Sequence, residues 1–180
     1  EYRKLNPNVL VLPNCVDPED WPEPERTTGD KVRIGLVGSV GMLSDIANFK
    51  DTLNALYARP DVQIVLLGLP KRDESTIERV QKMYAEEYAF WDSYPNIEWH
   101  HFVPQADYNQ KFGDMQLDIV VIPRSDDNFN RCKSNLKFLE SSMLEIPVVA
   151  QGFTTGDSPY QVDPEDAAHM EIIVDNSKWL

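Results

Sequence analysis

Cysteine is nearly missing from this sequence. Cys15 and Cys132 are the only two, which leaves neither a disulfide framework nor a zinc-spaced thiolate pair and makes a reducing, cytoplasmic setting the expectation. Long apolar runs are missing too: none approaches the roughly 20 residues that cross a bilayer, so no membrane contact is expected of this segment. Cations are scarce, with 17 Lys and Arg against 30 Asp and Glu and a net charge of −13. A surface of that sign repels phosphate backbones, which argues against nucleic acid as a partner. The GK[ST] signature of a phosphate-binding NTPase loop is absent, as are fixed-period repeats and low-complexity tracts.

What is present suits one sizeable core: 180 residues, 42% hydrophobic, with four Trp, seven Tyr and seven Phe. The chain begins at Glu1 without Met and ends on Lys178-Trp179-Leu180, where a polar-to-apolar pattern restarts. It is expected to be an excerpt of something longer. Asn8 to Leu12 is a short strand candidate, and Pro13, Pro18, Pro22 and Pro24 among acidic residues mark a linker, so residues 1–30 are assigned as interdomain strand and linker and 31–180 as the main domain.

From Lys31 onward strands and helices alternate. Val32 to Val37 reads as a buried strand, Gly38-Ser39-Val40-Gly41 as a tight loop, and Ile46 to Tyr57 as a helix. The pattern recurs as strand Val62 to Leu67, helix Glu74 to Trp91, strand Asn96 to His100, helix Gln105 to Phe112, strand Leu117 to Ile122, helix Cys132 to Leu144 and strand Pro147 to Ala150. A short Ile172-Ile173-Val174 run offers a last edge strand. Near-continuous apolar strands such as Ile119 to Ile122 cannot belong to a half-exposed sheet. The expected fold is therefore α/β, a Rossmann-like doubly wound parallel sheet of about six strands.

In such a sheet ligands bind beyond the carboxyl ends of the strands, where helix N-termini direct unpaired N–H groups at them. The loop at Gly38-Ser39 lets backbone approach a phosphate, or is simply a turn that needs small residues. The stretch from Pro123 to Arg131 runs into a helix carrying Leu136, Leu139 and Met143 on an apolar face and Lys133, Lys137 and Glu140 at i, i+4 and i+7 on another. That second face is either a solvated surface with a Lys137–Glu140 pair or half of an anion site. Arg124, Arg131, Lys133 and Lys137 cluster there in an otherwise acidic chain. The aromatic helix end at Tyr84, Tyr88, Phe90, Trp91 and Tyr94 is expected to pack rather than to bind. His100 and His101 point to opposite faces and have no carboxylate partner at metal-ligand spacing, so no metal site is expected.

The run Asn130-Arg131-Cys132-Lys133-Ser134-Asn135-Leu136-Lys137-Phe138-Leu139-Glu140, followed by Glu145-Ile146-Pro147-Val148-Val149-Ala150, resembles the C-terminal, donor-binding domain of GT-B glycosyltransferases, family 4 in particular. Asn8 to Asp17 is similar to that family's interdomain stretch, Ile34 to Gly38 to its first donor-domain strand, and Val65 to Gly68 to its second. The resemblance implies transfer of a sugar, hexosyl transfer by kind, from a nucleoside-diphosphate sugar to an acceptor in glycan or polysaccharide biosynthesis. It implies no cofactor beyond that donor and no metal, and an acceptor-binding N-terminal half, holding any acceptor-side base, that this chain lacks. Glu140 matches the carboxylate that accepts the ribose hydroxyls. Lys133, Ser134, Asn135 and Leu136 match the helix start holding phosphate and sugar, Gly38 and Ser39 the glycine loop beside the diphosphate, and Phe102, Val103 and Pro104 the stretch lining the base.

Two departures stand out. Cys132 occupies the place of a second glutamate, and Ser39, with Asp45 nearby, stands where an arginine and a lysine usually neutralise the leaving diphosphate. Lys133, Lys137 or Arg124 is expected to supply that charge instead. Two alternatives remain: an NAD(P)-binding oxidoreductase or epimerase, suggested by Gly35-x-x-Gly38-x-x-Gly41, and a catalytically inactive nucleotide-binding or interaction module. The oxidoreductase expects an acid at the end of the second strand, where Leu67-Gly68-Leu69-Pro70 stands.

Overall fold

A computed structural model describes residues 2–10, 12–24, 26–27, 29–39, 42–47, 49–68, 78–83, 85–154, 156, 158–160 and 170–173. Val40, Gly41, Tyr84, positions 74–77 of the expected third-strand-flanking helix, Leu69-Pro70 and the C-terminal Lys178-Trp179-Leu180 lie outside them. Six parallel strands form one sheet: β1 (Val32–Val37), β2 (Val62–Leu67), β3 (Glu98–His100), β4 (Ile119–Ile122), β5 (Val148–Gln151) and β6 (Met170–Ile173). Their order is β3-β2-β1-β4-β5-β6, with Ile34 paired to Ile64 on one side and Ile119 on the other. The expected edge strand after the fifth is thus β6. Helices are α1 (Tyr2–Leu5), α2 (Met42–Ala47), α3 (Lys50–Tyr57), α4 (Glu78–Met83), α5 (Ala85–Trp91), α6 (Gln105–Asp114), α7 (Asn128–Arg131) and α8 (Leu136–Met143).

Period-two alternation is present in the strands, but it sorts apolar side chains between two cores rather than between core and water. Val37, Val65, Leu67, Val120, Ile122 and Val148 face Phe112 and Met115 of the α6 end and Leu144 after α8. Ile34, Leu36, Ile64, Leu66 and Val121 face Ile46, Phe49, Leu53, Trp91 and Tyr94. Each such fully buried side chain contributes about 1.5–3 kcal/mol. Tyr88, Trp91 and Tyr94 are buried: Tyr88 stacks on Trp99, and Trp91 packs edge-on against Trp99 and tilted against Tyr94, so these aromatics of the helix end are core.

Several element boundaries differ from the sequence expectation. The expected helix from Ile46 is two, parted at Phe49, whose N–H bonds Ile46 O at 2.8 Å while its ring is buried. The helix expected from Cys132 begins only at Leu136, because Cys132 closes α7 and Lys133 N–H still bonds back to Asn130 O. Lys133 is therefore off the helix, and the i, i+4, i+7 alignment with Lys137 and Glu140 does not exist. On α8 the buried positions are Glu140 and Ser141, whereas Leu136, Leu139 and Met143 are only half-buried. Small Ser141 is fully buried, and its Oγ donates to Lys137 O at 2.7 Å.

The strand expected at positions 8–12 is not formed by its described residues. Among the described residues no strand pairs with it, and Leu10 and Leu12 are 81% and 78% exposed. Further on the linker returns to the domain: Asn14 Nδ2 donates to Ser134 Oγ at 2.7 Å, Trp21 packs edge-on against Tyr108 and Phe112, and the Arg26 guanidinium donates to the Glu145 carbonyl. At the other end of the sheet Arg33 donates two bonds to Glu98, of 2.7 and 2.8 Å, and one to Met115 O. His100 Nε2 lies 2.7 Å from Glu98 Oε1. For His100 the expectation of no carboxylate partner at metal-ligand spacing is corrected here, since residues two apart on a strand share a face.

Candidate functional site at the β1–β4 switch

Strand order reverses between β1 and β4, and in open α/β sheets that reversal opens a crevice beyond the carboxyl ends of the strands. A cavity of about 390 Å³ lies there. Its floor is Val37, Gly38, Ser39, Leu67 and Gly68; Phe102, Val103, Gln105 and Tyr108 form one wall, and Arg124, Lys133, Leu136, Lys137 and Glu140 the other. The floor depends on backbone meeting backbone. Gly38 N–H donates to Leu67 O at 3.0 Å, and Gly68, at φ +109°, lies so close that a Cβ on it would strike the Gly38 carbonyl. Only glycine fits there. The helix after Gly38 is six residues long in α2, and its contribution as a dipole is correspondingly small.

On the α8 side the chain buries a carboxylate. Glu140 is 7% exposed, and its Oε2 accepts from Lys137 Nζ at 2.6 Å and from the Tyr108 hydroxyl at 3.0 Å. Lys137 Nζ also donates to the Tyr108 oxygen at 2.7 Å and sits 4.8 Å from that ring's centroid. The Lys137–Glu140 pair weighed from the sequence exists, but inside the cavity wall rather than on a solvated face. Burial first, then the charge and hydrogen bond of Glu140, push the Tyr108 phenol far above its ordinary value, so it remains a donor.

Asp45 is 1% exposed and accepts from Arg124 Nη1 at 2.8 Å, Ser125 N–H at 2.9 Å and Asn130 Nδ2 at 2.8 Å. This bolts α2 to the loop after β4. Arg124 is held by the pair, and its buried Nε has no partner among the described residues. Arg131 pairs with Asp126 and does not line the cavity, so the four-cation cluster expected from the sequence shrinks to Arg124, Lys133 and Lys137. Lys133 Nζ stands 4.4 Å over the Phe129 ring. Burial and then the Arg124 cation lower its pKa, against the opposing pull of Asp45 and Asp127. Binding an anion there relieves the repulsion that Arg124 imposes.

Gly38, Ser39, Phe102, Val103, Arg124, Lys133, Leu136, Lys137 and Glu140, all singled out in the sequence, meet in this one cavity. Pro104 does not line it and instead precedes α6 as its N-cap. Ser134 lines an adjoining, more open cavity of about 620 Å³, which shares Arg124, Lys133, Leu136 and Lys137 and is bordered by Asn14 and Tyr160. Asn135 caps α8 without a side-chain hydrogen bond to its backbone. Sequence reasoning missed Tyr108, Gln105 and Gly68 as lining residues. For Gly68 the signal was available, as a glycine ending a buried strand; for Tyr108 there was none. Among the described residues no three His, Cys, Asp or Glu side chains are grouped to hold a metal ion, and no helix is long and apolar enough to cross a membrane. Another cavity, of about 250 Å³, lies between the linker at Pro22 to Thr27 and the end of α6, away from the switch.

No protein-family model matches the sequence, and no curated protein matches it either. Solved structures do match. HepE from Anabaena, crystallised with UDP and glucose, aligns over 91% of this chain and 42% of its own at 14% identity, with a TM-score of 0.56. TarM aligns over 92% of this chain and 29% of its own at 14% identity and a TM-score of 0.54. The C-terminal domain of LpcC, a glycosyl transferase group 1 family protein from Francisella tularensis, aligns over 91% of this chain and 83% of its own at 18% identity and a TM-score of 0.49. The chain thus spans less than half the length of HepE or TarM. Identities this low speak to the fold, which is the Rossmann-like half of the GT-B glycosyltransferase architecture.

Proposed function

We propose that this chain is the nucleotide-sugar-binding half of a family 4-like glycosyltransferase that passes a hexose from a nucleoside-diphosphate sugar to an acceptor in glycan biosynthesis. The observation that carries the proposal is the meeting, at the β1–β4 switch, of three cations and a buried carboxylate with one oxygen unengaged. UDP and glucose in HepE, a protein of similar fold, support a ligand of that kind. Glu140 accepts from the ribose hydroxyls, as an ionised acid can. Lys133, Lys137 and Arg124 face the diphosphate, with Gly38 and Ser39 bringing backbone near it and Phe102 and Val103 flanking the base. Ser134, Asn135 and Pro104 act at one remove, through the shape of the loops that carry these groups.

Departure of the nucleoside diphosphate concentrates negative charge on its terminal phosphate while the sugar becomes oxocarbenium-like. Fixed cations in a partly dry site stabilise that charge without a metal or other cofactor. An acceptor-binding N-terminal half completes the enzyme in a cytoplasmic setting, so this chain binds donor and transfers little. Because Asp45 already occupies Arg124, a binding module without transfer is the second reading. A thermal-shift panel of UDP, GDP, ADP, CMP and NAD tests the function: at least one nucleoside diphosphate raises the melting temperature by mass action and NAD does not. A shift with NAD alone turns the assignment to an oxidoreductase.

A further inference from the structure

We propose that Tyr108 is a positioning residue that sets the ribose selectivity of this site, holding Glu140 by one oxygen so that the other is presented to the ligand's sugar hydroxyls. The inference rests on the donor-site function proposed above and names the part of the donor that the site tells apart. Both neighbours of the carboxylate converge on Oε2: Lys137 Nζ at 2.6 Å and the Tyr108 hydroxyl at 3.0 Å. Among the described residues no group donates to Oε1, although Glu140 lines the cavity. The hydroxyl's own direction is fixed, because it accepts from Lys137 at 2.7 Å and must turn its proton to Glu140. Ring packing against Trp21 and Phe112 holds the phenol from behind. A carboxylate pinned at one oxygen and bare at the other loses little freedom when a sugar hydroxyl arrives.

A network that merely fastens α6 to α8 has the same hydrogen bonds, but it has no reason to distinguish ribose from deoxyribose. Calorimetric titration of the full chain with UDP, GDP, ADP and their 2′-deoxy counterparts separates the two. In the wild type the bound ribonucleotide is favoured over its 2′-deoxy form about tenfold, as one charge-assisted hydrogen bond gives. Tyr108→Phe keeps the ring and removes the hydroxyl; the preference should fall below about threefold by weaker ribonucleotide binding, with the deoxy affinity unchanged. A preference that persists, or equal losses for both forms, overturns the inference while leaving the donor site standing. Absence of binding by all six nucleotides to the wild type rejects the donor site itself. If Tyr108→Phe does not fold, Tyr108→Met removes the same hydroxyl and must lower the same ratio, and an unchanged ratio is equally fatal.

Discussion

Glu140 and Lys133 face one cavity but have different work in the proposed donor complex. Glu140→Gln should weaken the nucleoside as much as the diphosphate, whereas Lys133→Ala should weaken diphosphates selectively, by about 1.5–3 kcal/mol for a charge-assisted bond. Calorimetry on the two variants with uridine and UDP checks the pattern. Salt should shrink only the Lys133 loss. An anion beside the ammonium raises its pKa, so the complex holds the proton to higher pH than the free chain does. Diphosphate affinity should therefore fall as pH rises through the free-chain value, which lies below the ordinary 10.5. A Lys133→Met chain should lack that decline. Asp45 answers for stability instead. Removing its charge leaves Arg124 unpaired, 13% exposed, so Asp45→Asn should cost about 3 kcal/mol in urea denaturation. Retained stability would show that Arg124 finds another partner.

Between strands, the Arg33 guanidinium ties β1 to β3 across β2 through Glu98, whose pKa is lowered first by the Arg33 hydrogen bond and, less, by His100. A depressed carboxylate stabilises the fold above its unfolded value and loses that contribution as pH falls through the folded one. Glu98→Gln should therefore cost about 1 kcal/mol or less near pH 7, the pair being part-exposed, and nothing in acid below the Glu98 titration. Urea melts of both chains at the two pH values measure the difference. Strand identity was legible because β1, β2 and β4 are apolar on both faces, and Gly38 and the cations near α8 were legible as residues at strand ends. Helix limits were not. Whether the backbone turns at Phe49, or winds only from Leu136 instead of Cys132, depends on which side chains the sheet accepts, and no local pattern records that. The partners of Asp45 and Glu140 were hidden for a similar reason: Arg124 lies 79 positions from Asp45, and Tyr108 lies 32 from Glu140.

The whole chain carries 30 acidic residues against 17 basic ones, yet three of those cations, Arg124, Lys133 and Lys137, line one cavity. A net charge of −13 keeps polyanions away, while a small anion that enters meets cations whose field is concentrated by the low-dielectric wall. The chain covers 42% of HepE, so a second half is required by the proposed transfer and not by the proposed binding. Binding is accordingly the property to measure in this chain. Amide chemical shifts of the isotope-labelled chain, followed during titration with the nucleoside diphosphate that gives the largest thermal shift, locate the ligand directly. Perturbations should centre on Gly38, Ser39, Gly68, Lys133 and the α8 residues to Glu140. Shifts confined to Gly113 and Gln116 beside the linker, or none at any residue, would contradict a donor site at the β1–β4 switch.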